Sequence, residues 1–212
     1  MPKYSLVDRL IIKTDLLLRT VSGISPKGRR AYPAATIAEG DLTIKETEMA
    51  ARLMRVNHAG EIAAQGLYHG QALFARKTAT REHLLDSAHQ EADHLYWCKR
   101  RIEQLGGHTS ALAPLWYAGS VAIGAAAAIA GDRWSLAFIE ETEEQVVEHL
   151  KSHLNLLSPK DLATRTIILQ VIADEAEHAQ AAHLISGYKL PNVIRILMRL
   201  TAKIMTKGAY RI

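Results

Sequence analysis

Along most of the chain the apolar positions recur every three or four residues, and no stretch alternates apolar and polar in the manner of a strand. The first such pattern covers residues 5–21. There Leu6, Val7, Leu10, Ile11, Leu17, Leu18 and Val21 recur among Asp8, Arg9, Lys13, Asp15 and Arg19, which predicts an amphipathic helix. Residues 22–40 hold Gly23, Pro26, Gly28 and Pro33 and read as a linker. A helix is predicted over 44–76, with Thr43 as its cap and Glu46 at capping-box spacing. Further helices are predicted over 80–105, stopped by Gly106 and Gly107, over 132–157, stopped by Ser158 and Pro159, and over 160–186, stopped by Gly187. A last one covers 191–206, with Pro191 at its start. The expectation is an all-α chain: an N-terminal amphipathic helix and linker over 1–40, then one helical domain over 41–212.

Residues 109–131 form an uncharged run of 23 residues, long enough by count to cross a bilayer. It is rich in alanine and interrupted by Pro114, Gly119 and Gly124, so a helix that is buried or dips into a membrane is expected instead of a span.

A spacing that occurs twice adds chemistry to this pattern. Glu61 is followed 30 residues later by Glu91-x-x-His94, and Glu143 is followed 32 residues later by Glu175-x-x-His178. On the second helix Glu91 interrupts an apolar stripe of Leu84, Ala88, Leu95, Cys98, Ile102 and Leu105. Glu143 interrupts Leu136, Ile139, Val147, Leu150, Leu154 and Leu157. Glu175 and His178 interrupt Ile168, Val171, Ala182 and Ile185. The first helix gives a more polar face of Met54, His58, Glu61, Gln65, Tyr68 and Ala72. Counting residues from each ligand to its turn places both partners of each hairpin at one level. A lone Glu-x-x-His is usually a solvated face. Two of them with two further Glu, all in apolar stripes of matching hairpins, form the ligand set of a four-helix bundle holding two iron or manganese ions. Burying four carboxylates without cations is prohibitive, and two divalent ions match their charge. Asp174 is expected to accept a hydrogen bond from the outer nitrogen of a ligand histidine, with Gln90 in the matching place of the other hairpin. Glu140, Glu141 and Glu144 are expected to face solvent. His58, His69, His89, His149 and His153 are expected on polar faces or behind the ligands.

Net charge is +4 and the sequence pI is about 9.2. Basic residues gather near the two ends and acidic ones between Glu39 and Glu177. Basic ends suit an anionic membrane surface. No nucleic-acid motif and no interleaved aromatic residues accompany them. The single cysteine, Cys98, excludes an intrachain disulfide and a cysteine-based metal site within one chain. Charges at Asp8, Arg9, Lys13 and Asp15 break any signal-peptide core.

Five segments together resemble one known family. They are Arg55-Val56-Asn57-His58-Ala59-Gly60-Glu61, Gln90-Glu91-Ala92-Asp93-His94-Leu95, Pro114-Leu115-Trp116 with the Gly/Ala run after it, Glu143-Glu144 with His149 six residues beyond Glu143, and Asp174-Glu175-Ala176-Glu177-His178. The family is the di-iron demethoxyubiquinone hydroxylases of ubiquinone biosynthesis, in their bacterial form. The match runs from about residue 42 to the C-terminus.

The resemblance implies a ferritin-like four-helix bundle with additional amphipathic and hydrophobic membrane-docking helices. It implies two irons, rather than manganese, on Glu61, Glu91, His94, Glu143, Glu175 and His178, and a proton- or electron-transfer role for His149. It also implies O2-dependent hydroxylation of a polyprenyl benzoquinol ring, with NADH as the external reductant. The protein would sit on the cytoplasmic side of the cell membrane, as a homo-oligomer or with other ubiquinone-pathway proteins, and without nucleic acid. No Gly-x-Gly-x-x-Gly fingerprint offers NADH a Rossmann site.

The rivals are a ferritin-like peroxidase or iron-handling protein, a radical-generating subunit using Tyr68 or Tyr96, and a structural membrane-associated bundle. The first has no use for the apolar run and basic ends, and the last has no reason to bury Glu91, His94, Glu175 and His178.

Overall fold

The computed structural model describes residues 30–212. The expected helix over 5–21 and the first part of the linker lie outside the described residues. Among the described residues there are six helices and no strand: α1 (Ile44–Phe74), α2 (Thr78–Gln104), α3 (Ala113–Ile129), α4 (Asp132–Leu156), α5 (Leu162–Ser186) and α6 (Asn192–Arg211). Thr43 caps α1 as its spacing predicted. Its side chain accepts from the Glu46 N–H, and the Glu46 carboxylate reaches back to the Thr43 N–H at 2.8 Å. Asp161 caps α5 by accepting from the Thr164 N–H at 3.0 Å. Gly106 and Gly187 stand at positive φ, +68° and +54°, where they end α2 and α5 as left-handed stops. α6 runs five residues past its predicted end, to Arg211, because Ala209 and Tyr210 pack onto α1.

Helices α1 with α2 and α4 with α5 make the two expected hairpins, which face each other as a four-helix bundle. The Asp132 carboxylate accepts from the N–H groups of Arg76 (2.8 Å) and Lys77 (2.9 Å), tying the turn between α1 and α2 to the start of α4. At one end of the bundle lies a core of Leu53, Met54, Trp97, Ile102, Leu150, Ile167 and Ile168. A second cluster, around Tyr68, Leu84 and Ile139, fills the other. The metal-ligand candidates fall between these two dry layers.

The uncharged run forms α3, which lies along α1. Small residues allow the approach: a Cβ on Gly70 would overlap the Val121 carbonyl, and one on Gly124 the Leu67 carbonyl. No helix among the described residues is long and apolar enough to cross a membrane.

The described part of the linker is pinned to the bundle. Tyr32 and Ala34 are buried in the core, and Tyr32 Oη donates to Gln104 at 2.7 Å. Arg101, wholly buried in α2, holds Glu39 at 2.5 and 2.9 Å, Asp161 at 3.0 Å and Thr164 at 2.8 Å. Burial and these two carboxylates act on the guanidinium in opposite senses, and the carboxylates prevail, raising its pKa.

Candidate metal centre

Each hairpin contributes one lone Glu and one Glu-x-x-His to the level between the two apolar layers. All six side chains are buried there: Glu61, Glu91, His94, Glu143, Glu175 and His178. The i,i+3 spacing puts each Glu and its His on one helix face. His94 Nδ1 therefore lies 3.0 Å from Glu91 Oε2, and His178 Nδ1 lies 3.1 Å from Glu175 Oε2. The hairpins then cross-connect. His94 Nδ1 is 3.1 Å from Glu175 Oε1, and His178 Nδ1 is 3.1 Å from Glu91 Oε1. Glu91 and Glu175 thus each turn one oxygen to one imidazole and the second oxygen to the other. Glu61 closes the His94 side at 3.8 Å, and ligand atoms of Glu61, Glu91, His94 and Glu175 all lie within 4.8 Å of one another. Glu143 stands on α4, its Oε1 accepting from Tyr68 Oη at 2.7 Å.

Both imidazoles are held from behind by the opposite hairpin. His94 Nε2 is 2.9 Å from Asp174 Oδ2, and His178 Nε2 is 2.5 Å from Gln90 Oε1. With Nε2 as the donor to these acceptors, Nδ1 is the nitrogen turned into the cluster, and it offers a lone pair there whenever the imidazole is neutral. Asp174 is itself gripped by Arg30 at 2.6 and 3.1 Å and by Gln170 at 3.0 Å. The Arg30 guanidinium also stacks 4.9 Å over the Trp97 ring, which packs 5.4 Å from His94.

The electrostatics describe a site short of positive charge. Burial raises Glu61 to about 8, and burial with Glu175 and Glu91 lifts Glu143 well above the carboxylate range. Burial opposes charge on His94, yet Glu91 and then Asp174 outweigh it and hold this imidazole well above its usual value. His178 is raised to about 11 against burial by Glu175 and Glu91. The histidines take the place of cations here. The donor set fits divalent metal: its buried carboxylates carry negative charge that burial alone would not sustain, and Glu91 Oε1, which faces the His178 ring, receives no well-directed hydrogen bond.

Residues 48–209 match the model of a family described as ubiquinone biosynthesis protein COQ7. The chain belongs to that family. Among COQ7-family relatives, a protein of Nitrosococcus oceani named 3-demethoxyubiquinol 3-hydroxylase is 50% identical over 208 residues, covering 98% of this chain and 97% of that one. Proteins of the same name from Chromobacterium violaceum (48% over 207 residues, 98% and 100% covered) and Pseudomonas fluorescens (43% over 209 residues, 99% and 97% covered) are similar over equal lengths. The ferritin-like bundle expected of the COQ7 family is the fold observed.

Two expectations for this level are corrected. Glu140 and Glu141 do not face solvent; both are 4% exposed. Glu140 accepts from His183 at 3.0 Å, and Glu141 pairs with Arg195 of α6 and with Gln145 at 2.6 Å. The reason is α6 and the segment before it, which cover a flank of α4 that an isolated hairpin would leave wet. Ile185, expected at the end of the α5 stripe, is 56% exposed because the buried face continues from Ala182 to Ser186 and leaves Ile185 on the outward side. His149 lies with its ring 4.0 Å from that of His153, burial holding its pKa below the usual value. Arg30 was not foreseen: one of two adjacent arginines in a Gly/Pro-rich linker carries no local signal. Tyr68 was weighed only as a radical site, whereas it is a hydrogen-bond partner of a ligand candidate.

Proposed function

We propose that this protein hydroxylates the ring of a polyprenylated demethoxyubiquinol with O2; its relatives are named 3-demethoxyubiquinol 3-hydroxylase. The observation that carries the reading is the pair Glu91 and Glu175, each presenting one oxygen to His94 and the other to His178 at 3.0–3.1 Å. In this reading Glu61, Glu91, His94, Glu143, Glu175 and His178 would hold the two irons. When bound, two irons supply paired one-electron redox chemistry that lets O2 deliver one atom to an electron-rich ring and release the other as water.

The chain's own residues set the conditions. Asp174 and Gln90 fix the tautomers of His94 and His178. Tyr68 orients Glu143. Leu84, Ile139, Cys98, Ile168 and Val171 keep bulk water from the level of the ligands. His149, six residues beyond Glu143, is assigned the movement of a proton or electron toward the site. NADH is the proposed source of the two electrons that each turnover consumes.

The substrate tail places the protein on a membrane, peripherally and on the cytoplasmic side. α6 supports this with an outward stripe of Val193, Ile196, Leu197, Leu200 and Ile204, all more than half exposed, flanked by Arg195, Arg199 and Lys203. Residues 1–40 are proposed as a further attachment, and 41–212 as the hydroxylase domain. Association with itself or with other proteins of the pathway belongs to the same reading. A peroxidase or iron-handling bundle has no use for the α6 stripe.

The test is metal analysis of purified protein followed by O2- and NADH-dependent hydroxylation of a short-tail demethoxyubiquinol. Two irons per chain and a hydroxylated ring are expected. Failure of the metal-free protein to take up ferrous iron would overturn the reading. Iron uptake with peroxide consumption but no ring hydroxylation would favour the peroxidase.

A further inference from the structure

Three turns meet at one end of the bundle: that between α1 and α2, that between α3 and α4, and that after α5. Between them lies a cleft of about 460 Å³, lined by Arg76, Lys77, Gly131, Arg133, Trp134 and Tyr188. Three cations face one carboxylate in it. That carboxylate, Asp132, is already engaged by the Arg76 and Lys77 backbone N–H groups, so the cleft keeps a net positive charge.

Both guanidiniums are anchored. Arg76 Nη2 donates to the Ile129 carbonyl at 3.1 Å. Arg133 donates from Nε to the Ser186 carbonyl (3.0 Å) and from Nη2 to the Gly187 carbonyl (3.1 Å), while lying 5.3 Å over the Tyr188 ring. Anchoring holds the rest of each fork in place at little further entropic cost, as recognition of a phosphate oxygen pair requires. Trp134 and Tyr188 pack 6.0 Å apart as the cleft's aromatic wall. Gly131, at φ +120°, turns the chain there without placing a side chain in the opening.

The surroundings select the source of the phosphate. Phe74, Ile129, Leu184 and Ile185, within a few residues of the groups just named, are each about half exposed or more. Cations and indole or phenol rings among exposed apolar tips match the boundary between headgroups and acyl chains. The cleft also lies where α3 ends and where the chain leads into α6, and both of these helices carry exposed apolar residues.

We propose that this cleft binds the phosphodiester of an anionic membrane lipid and fixes which end of the bundle meets the bilayer. The proposal extends the membrane attachment in the function proposed above, and its test is separable from that function. Flotation with vesicles of phosphatidylcholine alone and with added phosphatidylglycerol is compared for the full chain, Lys77→Gln, Arg76→Gln and the double variant.

Preference for the anionic vesicles is expected, falling about five-fold for each cation removed. Binding of all variants to neutral vesicles, and hydroxylation of a short-tail substrate in detergent, should stay unchanged. Lys77→Gln touches no anchoring bond of the cleft, so it reports on binding even where Arg76→Gln loosens the turn. Equal loss of neutral and anionic binding, or no loss in Lys77→Gln, would overturn the proposal. So would inorganic phosphate displacing the protein from anionic vesicles at low millimolar concentration and constant ionic strength, which would make the cleft a site for a soluble phosphate. An inactive enzyme with intact lipid preference would count against the hydroxylase reading alone.

Discussion

Tyr68 of α1 donates a 2.7 Å hydrogen bond to Glu143 of α4, joining the two hairpins through a ligand candidate in a region without bulk water. Burial, then Glu143 and the other carboxylates, raises the phenol well above its ordinary pKa, so it remains a donor at any working pH. Tyr68→Phe leaves a buried carboxylate oxygen without its partner. The metal-free protein should lose about 1–3 kcal/mol of stability in urea unfolding, and turnover should fall about 10-fold without vanishing. Complete loss of turnover with normal iron content would instead give Tyr68 the redox role expected of a radical-generating subunit.

Asp174 receives His94 Nε2 on one side and Arg30 on the other. Its carboxyl is held well below the ordinary range: the bonds from His94 and Arg30 outweigh the opposing effect of burial. Asp174→Asn removes the charge and allows the amide to present a donor to the imidazole, favouring the wrong tautomer. Iron affinity, measured by competition with a chelator, should drop about 10–100-fold. Arg30→Gln should produce a smaller drop in the same direction, since Gln170 still grips Asp174. Unchanged affinity in both variants would reduce this chain of contacts to packing.

How much of this was legible beforehand follows from the range of each interaction. The helices, the Thr43–Glu46 cap and the stops at Gly106 and Gly187 are written within a few residues, so local patterning predicts them. The buried cluster of Glu91, His94, Glu175 and His178 was legible because a charged group inside an apolar stripe is a conflict that needs a partner of its own. Asp174 was foreseen on different grounds, as the residue adjoining Glu175. Contacts that depend on tertiary placement were not legible. Arg30 meets Asp174 across 144 residues. Glu141 is buried only because Arg195 arrives from α6, and no periodicity in α4 distinguishes it from a solvated glutamate.

The contact between α1 and α3 has no slack at Gly70, where an added Cβ would overlap the Val121 carbonyl. Helix propensity alone favours alanine over glycine by roughly 0.5–1 kcal/mol. Separation of the two helices should outweigh that, leaving Gly70→Ala destabilised by about 1–3 kcal/mol. Gly60, with nothing within 4 Å of its Cβ position, is the control: Gly60→Ala should be neutral or stabilising. Urea midpoints of the two variants decide the point. Equal behaviour would mean that α3 rides loosely on α1.

Three histidines away from the ligand set are held neutral chiefly by burial: His58 and His153 fall to about 3, and His69 to about 4. Lys99 adds to the effect at His58, and His149 at His153. In the unfolded chain each takes up its proton near pH 6.5. Between pH 6.5 and these lower values the unfolded state therefore binds more protons than the native one. Stability falls as the pH drops through that window, by up to about 1.4 kcal/mol per pH unit for each histidine, and has no such slope above it. Unfolding of the metal-free protein by urea at pH 7, 6, 5 and 4 should show this loss. Buried carboxylates contribute to the same limb, so the decisive comparison is His153→Gln, whose side chain is neutral throughout. That variant should start less stable at pH 7 and lose stability more slowly on acidification, the gap narrowing by about 1 kcal/mol between pH 6 and pH 5. Parallel curves would mean that His153 is protonated in the native protein, with its ring nitrogens reaching water.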